Sequence, residues 1–361
     1  MVPRVTLDAP LPPLVNPLGI RLEARKEGTE IDASRIRGAA IDVAASHSTI
    51  QGFRITKAQA AVVVRASRVA LQELTIEDSD TGILIGEEAE ETTIQRSVFR
   101  RNRIGVQALG LGRTTVESSR FEDQRGTAVW AVAPEAAVGL PDISIRDSRF
   151  TNDASGLVLV NRPSNVELNV FEGVRDTAVF ASGTRVVIRA NQIRAGRGFA
   201  VMLDHAASSL IYRNEIAHNC SGGVMMRDAR NTEVVSNELY RNGFGIVILE
   251  GPKIGPNTVA DNLVASHAGD GLLLIASSPM VRRNRLLQNA HAGVRLASLV
   301  QSGGDMRDAD PLLEENVMRG NGRDEPYRDE YVASSTDALD TSGADCPWRL
   351  TSDRFQKEGV K

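Results

Sequence analysis

Five ionisable residues stand close together in an otherwise apolar stretch: Asp204, His205, Arg227, Asp228 and Glu250. Histidine is the side chain whose ordinary pKa lies nearest neutrality, so His205 can abstract or return a proton. Arg227 can neutralise a substrate carboxylate through a two-point contact. Asp204, Asp228 and Glu250 can orient these groups or contact hydroxyls. The set suits proton abstraction next to a carboxylate, with Arg227, His205 and Asp204 as catalytic candidates and Asp228 and Glu250 as binding candidates. The same residues also read as a solvated ion ladder, in which each exposed pair is worth roughly 0–1 kcal/mol.

A repeat places them together. Within residues 199–250 a small residue opens an apolar run three times, at Ala200, Gly223 and Gly245, and a polar or charged residue closes each run. The pattern extends through Ala40, Ala61, Gly82, Gly105, Ala128, Gly156, Ala178, Ala200, Gly223, Gly245, Gly271 and Gly293, at steps of 21 to 28 residues. That period is too short for paired helices and suits a solenoid of short strands. Counting each opener as zero, Asp204 and Arg227 fall at +4, and His205, Asp228 and Glu250 at +5. Adjacent strand residues face opposite ways, so Asp204 and His205 both reach solvent only if the strand ends there.

The expected fold is therefore all-β, a single-stranded right-handed parallel β-helix of about twelve coils of ~22 residues, its hand following from the crossover rule for parallel strands. Residues 1–30 are proline-rich and read as an entry or cap segment, 31–322 as the β-helix, and 323–361 as a loop and capping tail in which Trp348 and Phe355 would cover the last coil. The long steps at 133–141 and 251–257 read as loops, 302–310 as a polar loop, and 312–321 as a partial coil. Two asparagine series recur at matching turns: Asn191, Asn214, Asn237, Asn262 and Asn284; and Asn102, Asn152, Asn219, Asn242, Asn289 and Asn321. Asparagine tolerates a left-handed turn and can bond to its counterpart one coil away, so both read as ladders. Aromatics make up only 4% of the chain, which fits a narrow core of small and aliphatic side chains.

A net charge of −4 gives no basic face for nucleic acid. No apolar run approaches the roughly 20 residues of a membrane span. The opening MVPRVTLDAPLPPLV is not a signal peptide. The chain reads as a periplasmic or secreted domain expressed without its leader, or as a cytoplasmic protein, and it stands alone or within a larger chain or assembly. Cys220 and Cys346 are 126 residues apart; since coils contact only their neighbours, a bridge between them is not expected. His218 with Cys220 offers two metal ligands and no others. His47, His218, His267 and His291 share no register and read as surface turn residues. Tyr212 and Tyr240, on alternate strands, offer rings that can stack on a sugar.

Residues 200–297 resemble the periplasmic alginate (mannuronan) C5-epimerases and, more broadly, the carbohydrate-binding and sugar-hydrolysis β-helices. In those epimerases one strand ends in Asp-Pro-His-Asp and the next coil's strand ends in a basic residue. Here Asp204-His205-Ala206 and Arg227-Asp228 stand in those places, without the proline and the second aspartate. The resemblance implies that His205 abstracts the C5 proton, that Arg227 neutralises the uronate carboxylate, and that the partner is an acidic polysaccharide. Polygalacturonase-type hydrolysis would need the Asn-Thr-Asp and Asp-Asp motifs, of which only the fragment Asn231–Glu233 is present. No cofactor is expected. A Ca2+ site on Asp204, Asp228 and Glu250 is disfavoured by Arg227 in their midst. The alternative is a non-catalytic β-helix that binds glycan or a partner protein.

Overall fold

The computed structural model describes residues 4–16, 19–24, 29–134, 142–251, 256–300 and 306–333. Each coil contributes one strand to each of three sheets. In one coil these are Phe199–Asp204, Leu210–Tyr212 and Glu215–Ala217. Stacked, they form a 14-stranded opener sheet, a 13-stranded second sheet and a 14-stranded third sheet, with consecutive coils paired parallel. Every opener lies at the second residue of its strand or immediately before it, from Ala40 in Ala39–Val43 to Gly293 before Val294–Val300. The opener is small because the next coil is close. A Cβ at Gly105 would meet the Ala128 carbonyl oxygen at 2.5 Å and the Phe121 ring at 2.8 Å.

The core is not wholly aliphatic. Phe99, Phe121, Phe150 and Phe171, each at the centre of a third-sheet strand, stack with ring centroids 4.5 to 4.8 Å apart. Parallel strands at a spacing of about 4.8 Å set that stacking distance, so one aromatic per coil fits where four in one coil would not. Expecting only small and aliphatic residues inside was wrong for these four coils.

The asparagines form ladders at the two turns flanking the third sheet. Asn214 is representative: its backbone N–H and its Nδ2 both donate to Asn237 Oδ1 at 2.9 Å, and Nδ2 also donates to Ile188 O in the preceding coil. The first ladder runs from Asn169 through Asn191, Asn214, Asn237, Asn262 and Asn284 to Asn316. The left-handed residue at each rung, however, is the one before the asparagine, such as Arg213 (φ 52°) or Arg241 (φ 53°). The second series needs two corrections. Asn152 is itself a left-handed residue (φ 55°), and Asp153 is the rung, accepting from the Gln124 N–H. His267 is a buried rung between Asn242 and Asn289 rather than a surface residue. Burial depresses its pKa to about 4, so the ring sits neutral with Nδ1 accepting from the Asn242 N–H.

At the amino-terminal end, Arg4–Thr6 pairs with Thr29–Asp32 and Arg21–Glu23 with Thr49–Gln51, so the proline-rich segment already lends strands to two sheets. At the other end Leu312–Glu314 and Val317–Arg319 form the expected partial coil. Tyr327–Ala333 then adds a parallel strand to Val294–Val300. Its sequence, YRDEYVA, carries three charges and lacks the apolar run that announces the other opener strands. Trp348 and Phe355 lie outside the described residues, as do most of the loops at 133–141 and 251–257. Cys220 is disulfide-bonded, contrary to expectation; the sequence's other cysteine, Cys346, lies outside the described residues. The neighbour rule limits residues within coils, not a segment that follows them.

Candidate functional site

The opener strands end in a column of left-handed residues: His205 (φ 51°), Asp228 (φ 44°) and Glu250 (φ 54°). That turn breaks the strand alternation, so the last strand residue and the one after it both project outward. Asp204 stands in register with Arg227, and Arg227 with Leu249. The structure thus brings Asp204, His205, Arg227 and Asp228 onto one rim of two consecutive coils, with Glu250 on the next.

The contacts among them are short. Arg227 Nε donates to Asp204 Oδ1 at 2.6 Å, and His205 Nδ1 lies 3.0 Å from the same oxygen. His205 Nε2 lies 3.6 Å from Asp228 Oδ2, and Arg230 Nη2 reaches that oxygen at 3.7 Å. Partial burial pushes the Asp204 carboxyl up; the Arg227 hydrogen bond and the charges of Arg227 and His205 outweigh it and hold the group below the usual aspartate range. Arg227 is raised in turn, first by the Asp204 hydrogen bond, with burial opposing and the charges of Asp204 and Glu250 assisting. The His205 side chain is 61% exposed and Asp204 13%, so the imidazole stands in solvent on a carboxylate anchored beneath it.

This arrangement can hold one histidine tautomer. With Nδ1–H donated to Asp204, the Nε2 lone pair is left to accept a proton, and a protonated ring would sit between two carboxylates. Arg230, which sequence reasoning passed over, belongs to the group through Asp228; its signal was a second arginine at the strand-end turn of the same coil. Tyr212 and Tyr240 do not join it. Tyr212 lies on the second sheet with the Arg213 guanidinium 4.8 Å from its ring centroid. Tyr240 lies on the third sheet, where its hydroxyl donates to Glu215 and its ring meets His218 edge-on. Burial, then the Glu215 hydrogen bond, push the Tyr240 phenol up to about 12.

Among the described residues no three His, Cys, Asp or Glu side chains gather to hold a metal ion. The pairing of His218 with Cys220 as ligands fails because the Cys220 sulfur is in a disulfide. Among the described residues no helix is long and apolar enough to cross a membrane.

Among solved structures, the chain is similar to a mutant form of the periplasmic alginate epimerase AlgG, with 17% identity, a TM-score of 0.51, and coverage of 84% of this chain and 75% of that one. It is also similar to a mannuronic acid specific polysaccharide family 6 lyase from human gut microbiota, with 12% identity, a TM-score of 0.50, and coverage of 81% and 82%. No curated protein matches the chain. The family described as "Right handed beta helix region" matches residues 39–166 and 135–286, most of the parallel coils. With three parallel sheets and that match over more than half its length, the chain belongs to the right-handed β-helix family.

Proposed function

We propose that this protein is a carbohydrate-active β-helix that acts on an acidic polysaccharide, at the rim formed by Asp204, His205, Arg227 and Asp228. The observation that carries the reading is His205 held by Asp204 at 3.0 Å, with Arg227 donating to the same carboxylate from the next coil. The names of the two similar structures, an alginate epimerase and a mannuronic acid lyase, support the substrate class.

In this reading His205 Nε2 takes the proton from C5 of a uronate. The electron pair moves into the adjacent carboxylate, and Arg227 stabilises the charge that develops there. Asp204 and Asp228 stabilise the imidazolium that results. If the C4–O bond then breaks and the imidazolium proton passes to the departing O4, the product is an unsaturated uronate and the protein is a lyase. If water gives a proton to the opposite face of C5 and the imidazolium returns its own to solvent, it is an epimerase. No cation is needed, since Arg227 already occupies the position of carboxylate partner. A polymeric substrate fits a periplasmic or secreted site of action.

A second reading is a non-catalytic β-helix that binds glycan or protein; the Arg227–Asp204 pair at 2.6 Å favours it, because a paired guanidinium must be released before it meets a substrate. Incubation with polymannuronate, alginate and polygalacturonate separates the two. Unsaturated product by absorbance, or C5 inversion by proton NMR, that disappears in His205→Ala and Arg227→Ala establishes the enzyme. Binding without turnover by wild type establishes the second reading, and neither binding nor turnover removes both for these polymers.

A further inference from the structure

We propose that the carboxyl-terminal end of the solenoid holds a second carbohydrate site, a cleft that takes one hydroxylated carboxylate, that is, a single hexuronate unit. The inference does not depend on what His205 does.

The cleft has a volume of about 300 Å³ and is lined by Asp270, His291, Arg295, Arg323 and Tyr327. That volume is at the lower end of the roughly 300–1,000 Å³ of small-molecule sites, room for one sugar or two. Asp270 and His291 precede the last two parallel opener strands, and Tyr327 begins the strand that follows them. Along the axis these coils lie three and four steps beyond that of His205, about 15–20 Å at a coil spacing of ~4.8 Å. They also sit at the opposite end of the opener strands, so one monosaccharide cannot touch both sites.

Polar groups of both kinds are left open here. Asp270 is fully buried; its Oδ1 accepts from the Ala292 N–H at 3.0 Å, but its Oδ2 has no hydrogen-bond donor, with Arg295 Nη1 no closer than 3.6 Å. Arg295 is drawn the other way by Asp329, and its Nε has no acceptor. A buried acceptor and a buried donor left unmade each carry an uncompensated desolvation penalty, so a ligand that supplies both gains from the pair. The Arg323 guanidinium lies 3.7 Å from the Tyr327 ring centroid and makes no ion pair among the described residues. Stacking holds its fork flat, ready for a carboxylate. His291 stands exposed beside it.

The chemistry narrows the ligand. A metal cation is opposed by Arg295 beside Asp270, and inorganic phosphate carries too few donors for the Asp270 oxygen. A sugar acid offers a carboxylate to Arg323 and hydroxyls that both donate to Asp270 and accept from Arg295.

The test uses the full chain with D-mannuronate and D-glucuronate, read by saturation-transfer NMR and calorimetry, with D-glucose and inorganic phosphate as controls. The expected result is binding of the two uronates that weakens about tenfold or more in Arg323→Ala, the scale of one lost charge-assisted contact, and also weakens in Asp270→Asn. Arg323→Lys keeps the charge without the fork and should fall between, which covers the case in which Arg323→Ala disturbs the fold. His205→Ala and Arg227→Ala should leave this binding unchanged, so a failure of turnover on polymers does not decide the outcome here. Equal binding of glucose or phosphate, loss in Arg227→Ala but not Arg323→Ala, or no binding at ~20 mM uronate, well above the millimolar range of a weak small-molecule site, would each overturn the proposal.

Discussion

Two charged ladders on the outside of this solenoid both pair arginine with carboxylate and differ in what else they carry. On the third sheet Glu77, Arg100 and Glu122 stand in register one coil apart, with Arg54 and Arg101 also reaching Glu77. Arginine and carboxylate alternate, and no imidazole intervenes. At the rim of the opener sheet Asp204 pairs with Arg227 and Asp228 with Arg230, His205 lies between those two carboxylates, and Glu250 on the next coil adds its charge to the field at Arg227. An alternating ladder relieves repulsion between stacked coils, and arginine with glutamate suffices for that. A ladder of that kind needs neither a histidine nor a surplus carboxylate, and those are the groups on which the proposed chemistry rests.

The largest expected difference between the two regions is in turnover. His205→Ala should reduce uronate turnover by about 10²–10⁴-fold, the usual weight of a general base, while Arg100→Ala leaves it unchanged; a polymer assay on both variants checks this. Stability should show the reverse order. Glu77 is nearly buried and serves three arginines, so Glu77→Ala should cost about 1–3 kcal/mol in urea unfolding. Asp204→Ala should cost no more than about 1 kcal/mol. Arg101→Ala, which breaks the exposed two-point pair to Asp78, should cost a few tenths of a kcal/mol, less at high salt.

The second asparagine ladder extends the comparison to pH, because its rungs Asp153 and His267 are ionisable and respond oppositely. His267 has its pKa lowered by burial from 6.5 to about 4, so the unfolded chain binds more protons between those values. Its neutral rung is fully effective above pH 6.5 and loses stability as pH falls towards 4. Asp153 has its pKa raised by burial from 3.8 to about 7, so the folded chain binds more protons in that window. Its contribution is present below pH 3.8 and is lost as pH rises towards 7. His267→Asn should therefore gain in Tm relative to wild type on going from pH 7.5 to pH 5, and Asp153→Asn on going from pH 5 to pH 7.5. A change of roughly 1–2 °C per kcal/mol is the scale for a chain of this size, and thermal melts at the two pH values measure it. Three carboxyls are held below their ordinary pKa: Asp78 by its Arg101 hydrogen bond and Asp80 by its Arg103 hydrogen bond, each opposed by burial, and Asp204, where burial is outweighed by the Arg227 hydrogen bond and nearby charge. Their stabilisation persists above pH 3.8 and goes only as pH falls below it.

The coil repeat was legible because a single rule, a small residue before an apolar run, serves every opener strand. The rim cluster was legible against that repeat: charges close three successive runs, where nearby coils carry Val160, Ser182, Ile275 and Ala297. Positions where one side chain substitutes for another in the same physical role were harder to read. Asp153 and His267 accept a backbone N–H as an asparagine would, so a search for asparagine passed over both and took Asn152 instead. Tyr212 and Tyr240 were assigned by residue type, and type carries no information about which of three faces a strand joins. The phenylalanine stack had a signal that went unused, one ring at the centre of each of four successive third-sheet strands.

The turn between the second and third sheets is two residues long in almost every coil, fixed by its rung. The turn after the opener strand varies freely: Asn284 and Asn316 bond across 32 residues where Asn262 and Asn284 bond across 22, the added length having entered there. Insertion is therefore tolerated on the rim that carries Asp204 and Arg227 and resisted at the turn between the second and third sheets. New segments can be grafted onto that rim while the scaffold keeps its pitch, so descendants of this chain can change what they recognise without relearning how to fold.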